Sequence, residues 1–229
     1  LSYILRELAH EKDMKGLKVC VTAGPTREAI DPVRFISNRS TGKMGFALAK
    51  NAMERGADVT LISGPVELKD VPFVKMVHVQ SAKQMFEAVT KEAQMADIIV
   101  KAAAVADYRP AVVSDEKIKK NDGDMSIALE RTDDIIGTLG KTKRDNMFLC
   151  GFSMETEHML ENSKAKLEKK NLDMIIANNV KVKGAGFGTD TNVVTLITKD
   201  DIKELPIMSK EDVADEIFNN ILEKRKGTV

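Results

Sequence analysis

Short apolar runs that alternate with longer amphipathic stretches are the feature that most constrains the fold of this chain. Each run is rich in β-branched residues and ends at a turn signal, as strands buried on both faces of a parallel sheet do. Five runs occur, at 17–22, 57–63, 97–104, 147–152 and 173–179. Helices are predicted at 43–55, 81–95, 156–170 and 210–225. This βαβ alternation predicts an α/β fold with a doubly wound, mostly parallel, Rossmann-like sheet.

Two segments interrupt this alternation. Residues 108–130 form a polar, lysine-rich connection that ends in a predicted strand, "MSIALE" (125–130). The connection is too long for an ordinary loop, so we expect a flap that projects from the sheet. Residues 181–205 contain a "GAGFG" turn and two strand-like runs, which are predicted to close the sheet as a hairpin. Without a repeat or a low-complexity linker, residues 16–229 are predicted to form a single domain, preceded by a polar linker or helix at 1–15.

The charge balance narrows the class of ligand. The sequence has 35 basic and 35 acidic residues, so no overall field favours nucleic acid or an anionic membrane, and an anion site must be a local cluster. No apolar run reaches the roughly 18 residues of a membrane-spanning helix, and the first residues lack a signal-peptide pattern. We therefore expect a cytoplasmic protein with small-molecule ligands, and neither nucleic acid nor a membrane as a partner.

The cysteines and histidines indicate no metal site or nucleophile. Cys20 and Cys150 each lie within an apolar run, which favours core packing over a disulfide or a metal site. His10, His78 and His158 are isolated from one another and from the cysteines. Neither a nucleophilic triad nor a zinc site is therefore predicted, and the residues that would bind any other metal stay unknown.

The segment "FISNRSTGKMGF" (35–46) runs from a loop of small residues into a predicted helix. It is not a Walker A loop, because a glycine and a hydroxyl that this motif requires are both missing. The free amide groups at the helix N-terminus can still bind phosphate. Asn38 adds a neutral group that both donates and accepts hydrogen bonds. An alternative of comparable weight is that Ser40 or Thr41 caps the helix and the rest is solvated loop.

Small residues follow the run that begins at residue 97. In "KAAAVADYRP" (101–110) the alanines would let a planar ligand approach the backbone, and Asp107 could accept hydrogen bonds from ribose hydroxyls. Tight helix-on-sheet packing is the more common reason for such an alanine run. The segment alone is therefore weak evidence for a nucleotide site.

Two lysine clusters are further candidates for anion binding. Lys117, Lys119 and Lys120 repel one another unless they are solvated or face an anion. Most such runs are solvated, but this one lies in the overlong connection. Lys166 and Lys170 lie one helical turn apart and can converge on one ligand, although this spacing by itself favours a mixed-charge solvated face.

Taken together, these motifs resemble one enzyme family. In order and spacing, "TAGPTREAIDPVRFISNRSTGKMG", "AAAVADYRP", "EKIKK", "GFSMET", "KKNLDMIIANN" and "GFGTDTNVVTLI" are similar to the bacterial CTP-dependent phosphopantothenoylcysteine synthetase, or phosphopantothenate–cysteine ligase. In many bacteria this unit is the C-terminal synthetase domain of a bifunctional coenzyme A biosynthesis protein. The resemblance extends from about residue 16 to about residue 224.

The resemblance implies a ligation in two steps. The carboxylate of 4′-phosphopantothenate attacks the α-phosphorus of CTP, with Mg²⁺ on the triphosphate, to give an acyl-cytidylate and pyrophosphate. The amine of L-cysteine then displaces CMP and forms the amide. No covalent enzyme intermediate is required, so catalysis would depend on positioning and on charge stabilisation.

The resemblance also assigns residues. It places Asn38 near the acyl-cytidylate carbonyl and makes Lys117 a catalytic lysine that contacts the nucleotide. The substrate and phosphate loop comprises Ser37, Asn38, Arg39, Ser40, Thr41, Gly42 and Lys43. The CTP-binding positions are Ala103, Ala104, Asp107, Lys117, Asp133, Asp134, Ile135, Ile136, Phe152, Lys166 and Lys170. The family usually has Asn-Pro-Asp where this sequence has Thr132-Asp133-Asp134.

Further expectations concern partners. The family is dimeric, with a projecting strand pair near the active sites, and residues 108–130 are the candidate for that pair. A fused flavin-dependent decarboxylase usually precedes the unit, which would account for a chain that begins at Leu1. Two other functions stay open, an NAD(P)-binding Rossmann oxidoreductase and a non-catalytic nucleotide-binding module. The first is disfavoured because the turn after the first strand lacks the G-x-G-x-x-G glycines.

Overall fold

The computed structural model describes residues 2–120, 123–154, 159–178, 186 and 188–226. Its helices are α1 (Ser2–Leu8), α2 (Lys43–Glu54), α3 (Ala82–Ala93), α4 (Ile135–Thr142), α5 (Met159–Lys169) and α6 (Lys210–Lys226). Its strands are β1 (Lys18–Ala23), β2 (Arg27–Ala29), β3 (Phe35–Ser37), β4 (Asp58–Ser63), β5 (Lys75–His78), β6 (Ile98–Lys101), β7 (Tyr108–Pro110), β8 (Leu129–Arg131), β9 (Phe148–Met154), β10 (Met174–Asn178), β11 (Thr191–Asn192), β12 (Val194–Ile197), β13 (Ile202–Glu204) and β14 (Met208–Ser209).

Eight of these strands form one sheet in the order β13-β12-β10-β9-β6-β1-β4-β5. The run from β10 to β5 is parallel throughout. At the other edge, β12 and β13 pair antiparallel as the hairpin expected from the sequence. The doubly wound, mostly parallel α/β sheet is thus confirmed. The remaining described strands form the two-stranded pairs β2–β3, β7–β8 and β11–β14.

Helices cover both faces of the sheet and bury a core on each. On one face, α2 and α6 pack with residues such as Leu48 and Phe218, both fully buried. On the other face, α3, α4 and α5 contribute Met85, Leu139 and Leu167. Because both faces are covered, the central strands are apolar throughout instead of alternating. This is the physical reason that continuous apolar runs identified them.

The five predicted strands and four predicted helices are all present, with ends that shift by a few residues. Ser81 and Gln84 form the expected capping box at the start of α3. Ser209 and Asp212 bond to each other at the start of α6, where the Ser209 hydroxyl accepts from the Asp212 N–H at 3.0 Å. Gly56 follows α2 with a positive φ of 90°, as expected for a residue that ends a helix.

Other elements differ from the sequence-based expectation. Helix α4 was not predicted, because Gly137 and Gly140 lower its intrinsic helix propensity. A Cβ at Gly140 would lie 1.8 Å from the Lys170 carbonyl oxygen, so close packing requires glycine there. In the flap, the strand expected at 125–130 is limited to β8, which begins at Leu129. Most of the "GAGFG" turn and the first residues of the helix expected at 156–170 lie outside the described residues.

Among the described residues, no helix has both the length and the apolar character that crossing a bilayer requires.

Candidate nucleotide and substrate site

The winding of the sheet reverses between β1 and β6, which are neighbours in its centre. From β1 the chain continues outward to β4 and β5, whereas β6 leads to β9 and β10 on the other side. In open α/β sheets, ligands bind at such a switch point, beyond the carboxyl ends of the strands. A cavity of about 280 Å³ lies there, lined by the carboxyl ends of β6, β9 and β10, by the residues that follow β6, and by the loop and first turn of α2.

One wall of this cavity is the N-terminus of α2. Gly42 is the N-cap, with φ 80°, and no side chain caps the helix. The Ser40 hydroxyl accepts a hydrogen bond from the Gly42 N–H at 3.3 Å, one residue before the helix. The alternative that Ser40 or Thr41 is the N-cap is therefore wrong. The first-turn amide groups border the cavity uncapped by a side chain and are suited to bind an anion.

The opposite wall is the backbone that follows β6. Ala102, Ala103, Ala104 and Val105 all line the cavity. The Ala104 N–H donates to the Gly24 carbonyl at 2.9 Å, which ties this wall to the turn after β1. Residues of the alanine run therefore line the cavity, and the run is also packed against the turn after β1.

Asn38 supports this wall from behind. Its Nδ2 donates to the carbonyl oxygens of Ala104 at 3.0 Å and Val105 at 3.2 Å. Both neighbours can only accept, so the orientation of the amide group is fixed by its partners. Asn38 does not line the cavity. The Asn38 side chain is thus bonded to two neighbouring carbonyls of this wall.

Two lysines, Lys43 and Lys210, form part of a third wall, and both of their ammonium groups bond other groups of the protein. Lys43 forms an ion pair with Asp190 at 2.7 Å and also donates to the Gly188 carbonyl. Lys210, which is buried, donates to the carbonyl oxygens of Gly186, Thr189 and Thr191. These bonds hold the segment around residue 190 against the cavity.

A second group of predicted nucleotide contacts lies at the start of α4. Asp134 caps this helix by accepting from the Gly137 N–H at 3.0 Å, and it forms an ion pair with Lys170. Burial opposes ionisation of Asp134, but the Lys170 ammonium and the Gly137 N–H outweigh it and hold the pKa of this carboxyl below its usual value. Ile135 is buried and packs in the core on this face of the sheet.

Thr132, one of the two residues that depart from the family's Asn-Pro-Asp, bonds the end of the alanine run. The Thr132 hydroxyl donates to the Ala106 carbonyl at 2.6 Å, and the Thr132 N–H donates to the Asp107 carbonyl at 3.0 Å. These bonds fix the segment before α4 to the end of the alanine wall. Asp107 itself is exposed and lines the cavity.

Lys117 belongs to a different cavity. This second cavity, of about 680 Å³, is lined by Arg34, by residues 117–120 and by residues 123–125. One lining residue, Arg34, forms an ion pair with Asp31, and this pair bonds both backbone groups of Ile118. The Ile118 N–H donates to Asp31 at 3.2 Å, and its carbonyl accepts from Arg34 at 3.0 Å. The lysine segment is thus anchored next to Lys117.

The cavity at the switch point is therefore lined by only part of the predicted site. The predicted residues that line it are Ser40, Thr41, Gly42, Lys43, Ala103, Ala104, Asp107 and Phe152. Those that do not line it are Ser37, Asn38, Arg39, Lys117, Asp133, Asp134, Ile135, Ile136, Lys166 and Lys170. Lining residues that were not predicted include Lys101, Ser153, Asn178, Asn192 and Lys210. Lys101 could have been found from the sequence, because it is a charged residue at the end of the otherwise apolar strand β6.

Two other features of the surface are less suited to this chemistry. A larger groove, of about 980 Å³, lies at the amino ends of β9 and β10, away from the switch point. Among the described residues, no group of three or more histidine, cysteine, aspartate or glutamate side chains could hold a metal ion. A metal ion in the switch-point cavity would have Asp107 as its nearest protein carboxylate on the lining.

Comparison with known proteins identifies the family. Residues 14–224 match the family described as the DNA/pantothenate metabolism flavoprotein C-terminal domain. The chain belongs to this family. A relative from Bacillus subtilis, named coenzyme A biosynthesis bifunctional protein CoaBC, is 53% identical over 94% of this chain. The match covers 53% of that protein, so the chain spans about half the length of this relative.

Solved structures of this family have the same fold. The C-terminal domain of a coenzyme A biosynthesis bifunctional protein CoaBC is 43% identical, with a TM-score of 0.80, and the match covers 93% of this chain and 98% of that one.

A second relative by sequence, from an unknown prokaryotic organism, is named a cysteine/cysteine sulfinic acid decarboxylase. It is 45% identical over 97% of this chain and 62% of its own length. The names of the two sequence relatives thus differ.

Proposed function

We propose that this chain is the synthetase unit that forms the amide between 4′-phosphopantothenate and L-cysteine, with CTP as the nucleotide, in coenzyme A biosynthesis. The observation that carries the proposal is the cavity at the switch point, where an uncapped helix N-terminus faces the backbone of 102–105. The name of the Bacillus subtilis relative, at 53% identity, supports the same pathway.

In the first step, the carboxylate of phosphopantothenate attacks the α-phosphorus of CTP. A bond forms between the carboxylate oxygen and phosphorus, and pyrophosphate leaves with the electron pair of the broken P–O bond. Both reactants are anions, so positive charge must offset their repulsion. The amide groups at the start of α2 supply part of it, and Lys117 is proposed to add its charge once the lysine segment reaches the nucleotide.

In the second step, the amine of cysteine attacks the acyl carbon of the acyl-cytidylate. The C–N bond forms, the C–O bond breaks, CMP leaves with the electron pair, and the amine loses a proton. This chemistry requires no nucleophile from the protein, so positioning is its main contribution. Asn38 contributes by holding the wall at Ala104 and Val105, against which the acyl-cytidylate would lie.

Mg²⁺ is proposed to enter with CTP. Magnesium sites of this kind use one or two carboxylates and the substrate phosphates, and they do not require a cage of protein ligands. A single carboxylate on the cavity lining, Asp107, fits that pattern. The ion would reduce the negative charge on the triphosphate.

Three further expectations belong to this proposal. The unit is expected to act as a homodimer in the cytoplasm. A flavin-dependent decarboxylase unit is expected to be fused before it, because the match with the Bacillus subtilis relative covers about half of that protein. No cofactor is expected to be bound permanently by the residues of this domain.

The decisive experiment measures both products. The purified chain is incubated with phosphopantothenate, cysteine, Mg²⁺ and either CTP or ATP, and pyrophosphate and phosphopantothenoylcysteine are quantified. We expect equal amounts of both products, formed faster with CTP. A Lys117→Gln variant is expected to release less pyrophosphate while keeping its circular dichroism spectrum.

Other outcomes would point to other functions. Binding of CTP without pyrophosphate release would indicate a non-catalytic nucleotide-binding module. Tight NADPH binding with no response to CTP would indicate the oxidoreductase alternative. Release of CO₂ from cysteine without amide formation would instead follow the name of the decarboxylase relative. Any of these three results contradicts the proposal.

A further inference from the structure

Lys101 lies where the cavity meets the α4–α5 layer. It is the last residue of β6, and it lines the switch-point cavity. Within β6, Val100 packs in the core with α2 and α6, whereas Ile99 packs in the core with α4 and α5. Side chains alternate along a strand, so Lys101 is on the same face as Ile99. Lys101 therefore lies on the cavity lining and also interacts electrostatically with Asp134, the partner of Lys170.

The charges around Lys101 do not neutralise it. Asp107 and Asp134 attract its ammonium group, and Lys166 repels it. Asp134 is already engaged by Lys170 and by the cap of α4. Among the described residues, Lys101 has no hydrogen bond to its ammonium group and no carboxylate within ion-pair distance. Burial, and then the repulsion from Lys166, lower the pKa of Lys101.

A lysine at this position is costly for the free protein. The Lys101 side chain is partly buried at the cavity lining, and a charged group that loses part of its hydration without a partner gains no ion pair in return. The same face of the sheet is otherwise filled by apolar side chains such as Ile99 and Leu139. If the role of residue 101 were packing alone, an unbranched apolar side chain would serve better. An anion that enters the cavity would supply the missing partner.

We propose that Lys101 is an anion-binding residue of this site, whose ammonium group binds a phosphate oxygen of the substrate. This inference rests on the proposed function. Two phosphate sources are available in that reaction, the triphosphate of CTP and the phosphomonoester of 4′-phosphopantothenate. Both offer the same chemistry to Lys101, and titrations with each ligand alone distinguish them.

The test compares Lys101→Met with the wild-type chain. Methionine keeps the length of the side chain and removes its charge. We expect the ligand-free variant to unfold at the same or a higher urea concentration than the wild type, because an unpaired charge has been removed. We also expect its affinity for the phosphate ligand to fall by about tenfold or more. A residue with only a structural role would not give this combination.

Isothermal titration with three separate probes identifies the source. The probes are CTP with Mg²⁺, 4′-phosphopantothenate, and inorganic pyrophosphate. Weaker binding of CTP and pyrophosphate alone assigns Lys101 to the nucleotide, whereas weaker binding of phosphopantothenate alone assigns it to the phosphomonoester. The control is Lys18→Met, which changes an exposed lysine at the amino end of the neighbouring strand β1 and should leave all three affinities unchanged.

Lys101→Arg tests whether the charge itself matters. Arginine stays protonated, so this variant should bind more tightly than Lys101→Met. Equal affinities of the wild type and the methionine variant for all three probes would overturn the inference, and so would an arginine variant that folds but binds as weakly as the methionine variant.

Wild-type amide synthesis is measured in parallel, to separate this inference from the proposed function. If synthesis occurs while Lys101→Met binds normally, only this inference fails; if the wild type binds none of the probes, the proposed function fails as well.

Discussion

At the scale of single residues, Asn38 shows how a functional expectation changes when its contacts are known. The resemblance placed this amide beside the reacting carbonyl. The structure instead gives its Nδ2 two protein partners, the carbonyl oxygens of Ala104 and Val105. The same residue can thus be essential for amide formation because it fixes the shape of the cavity wall.

We predict that Asn38→Ala lowers kcat/KM for amide formation by about tenfold or more and also raises the KM for CTP, because two hydrogen bonds to the wall are lost. Asn38→Asp should be more harmful, since its carboxylate would face two carbonyl oxygens. Steady-state kinetics with varied CTP measures both effects. Asn219→Ala is the matched control, because the Asn219 side-chain amide donates to Asp215 on the exposed side of α6. An unchanged KM for CTP would show that Asn38 does not support the nucleotide wall.

Asp31 is a buried carboxylate whose charge the fold uses. It accepts hydrogen bonds from the N–H groups of Val33 and Arg34, both at 2.8 Å, in addition to its ion pair with Arg34. Hydrogen bonding by the Arg34 guanidinium, with these N–H groups, holds the pKa of Asp31 well below its usual range. Since the folded-state pKa lies below the unfolded one, the ionised form of Asp31 stabilises the fold.

We predict that Asp31→Asn lowers the free energy of unfolding at pH 7 and flattens its decline in acid. Asp31 contributes fully to the free energy of unfolding above the ordinary aspartate pKa of about 4. This contribution is lost as the pH falls further, toward the lowered folded-state pKa. Urea denaturation at several pH values from 7 to about 3 measures this difference. Asp200→Asn, at an exposed position, is the control. Parallel acid profiles for Asp31→Asn and the wild type would contradict the prediction.

At the scale of elements, the site depends on how closely α2 approaches β1. A Cβ at Gly45 would lie 2.5 Å from the Ala23 Cβ and 2.8 Å from the Thr22 carbonyl oxygen. Neither atom belongs to a flexible chain end, so the helix would have to move. Gly42, at the helix start, is restricted mainly by its φ of 80°, a left-handed conformation that favours glycine, and a Cβ there would also lie 2.8 Å from the Val66 side chain. These glycines bring the helix N-terminus to the edge of the cavity.

We predict that Gly45→Ala destabilises the protein by about 1–3 kcal/mol, because overpacking outweighs the gain of about 1 kcal/mol in helix propensity. Affinity for CTP should also fall, since the displaced helix carries the anion-binding amides. Urea denaturation and titration with CTP measure the two effects. Gly123→Ala is the control, because a Cβ there meets no atom within 4 Å. A more stable Gly45→Ala protein would show that α2 accommodates the methyl group.

At the scale of the whole molecule, the flap carries apolar side chains that this chain leaves exposed. Val112 is 82% exposed, and Val113, Met125 and Leu129 are about half exposed. Contiguous exposed apolar groups favour association. The lysine segment lies in the same flap, and in this single chain Lys117 lines a cavity separate from the switch-point site. Association through the flap would thus bring two such segments near each other.

We predict that Val112→Asp shifts the proposed homodimer toward monomer, because association would bury an unpaired carboxylate. The dimer dissociation constant, measured by sedimentation velocity at several concentrations, should rise by about tenfold or more, while the circular dichroism spectrum stays the same. Ile207→Asp, at an apolar position that is 54% exposed outside the flap, is the control. An unchanged dissociation constant for Val112→Asp would place the interface elsewhere.

The class of fold and most of the central elements could be predicted from the sequence alone. Strands buried on both faces require continuous apolar runs, and this requirement is local, so β1, β4, β6, β9 and β10 could be read directly. Helix α4 could not be read in the same way. Its glycines are unfavourable locally, and the close approaches that favour them are tertiary: the Lys170 backbone lies against Gly140, and the Asp134 and Lys170 side chains lie against Gly137. Short edge and hairpin strands such as β2 and β5 likewise depend on their pairing partners.

The sequence by itself identified the loop at 37–43 and the alanine run as candidates for the site, because the residue types in each predict a particular kind of binding. Only the tertiary structure decided which candidates meet. Asn38 reaches Ala104 across 66 residues, and Lys101 acquires Asp134 and Lys166 as neighbours because β6 ends beside α4 and α5. The interaction of a charged or amide side chain depends on groups distant in the chain, and the order of the strands places those groups.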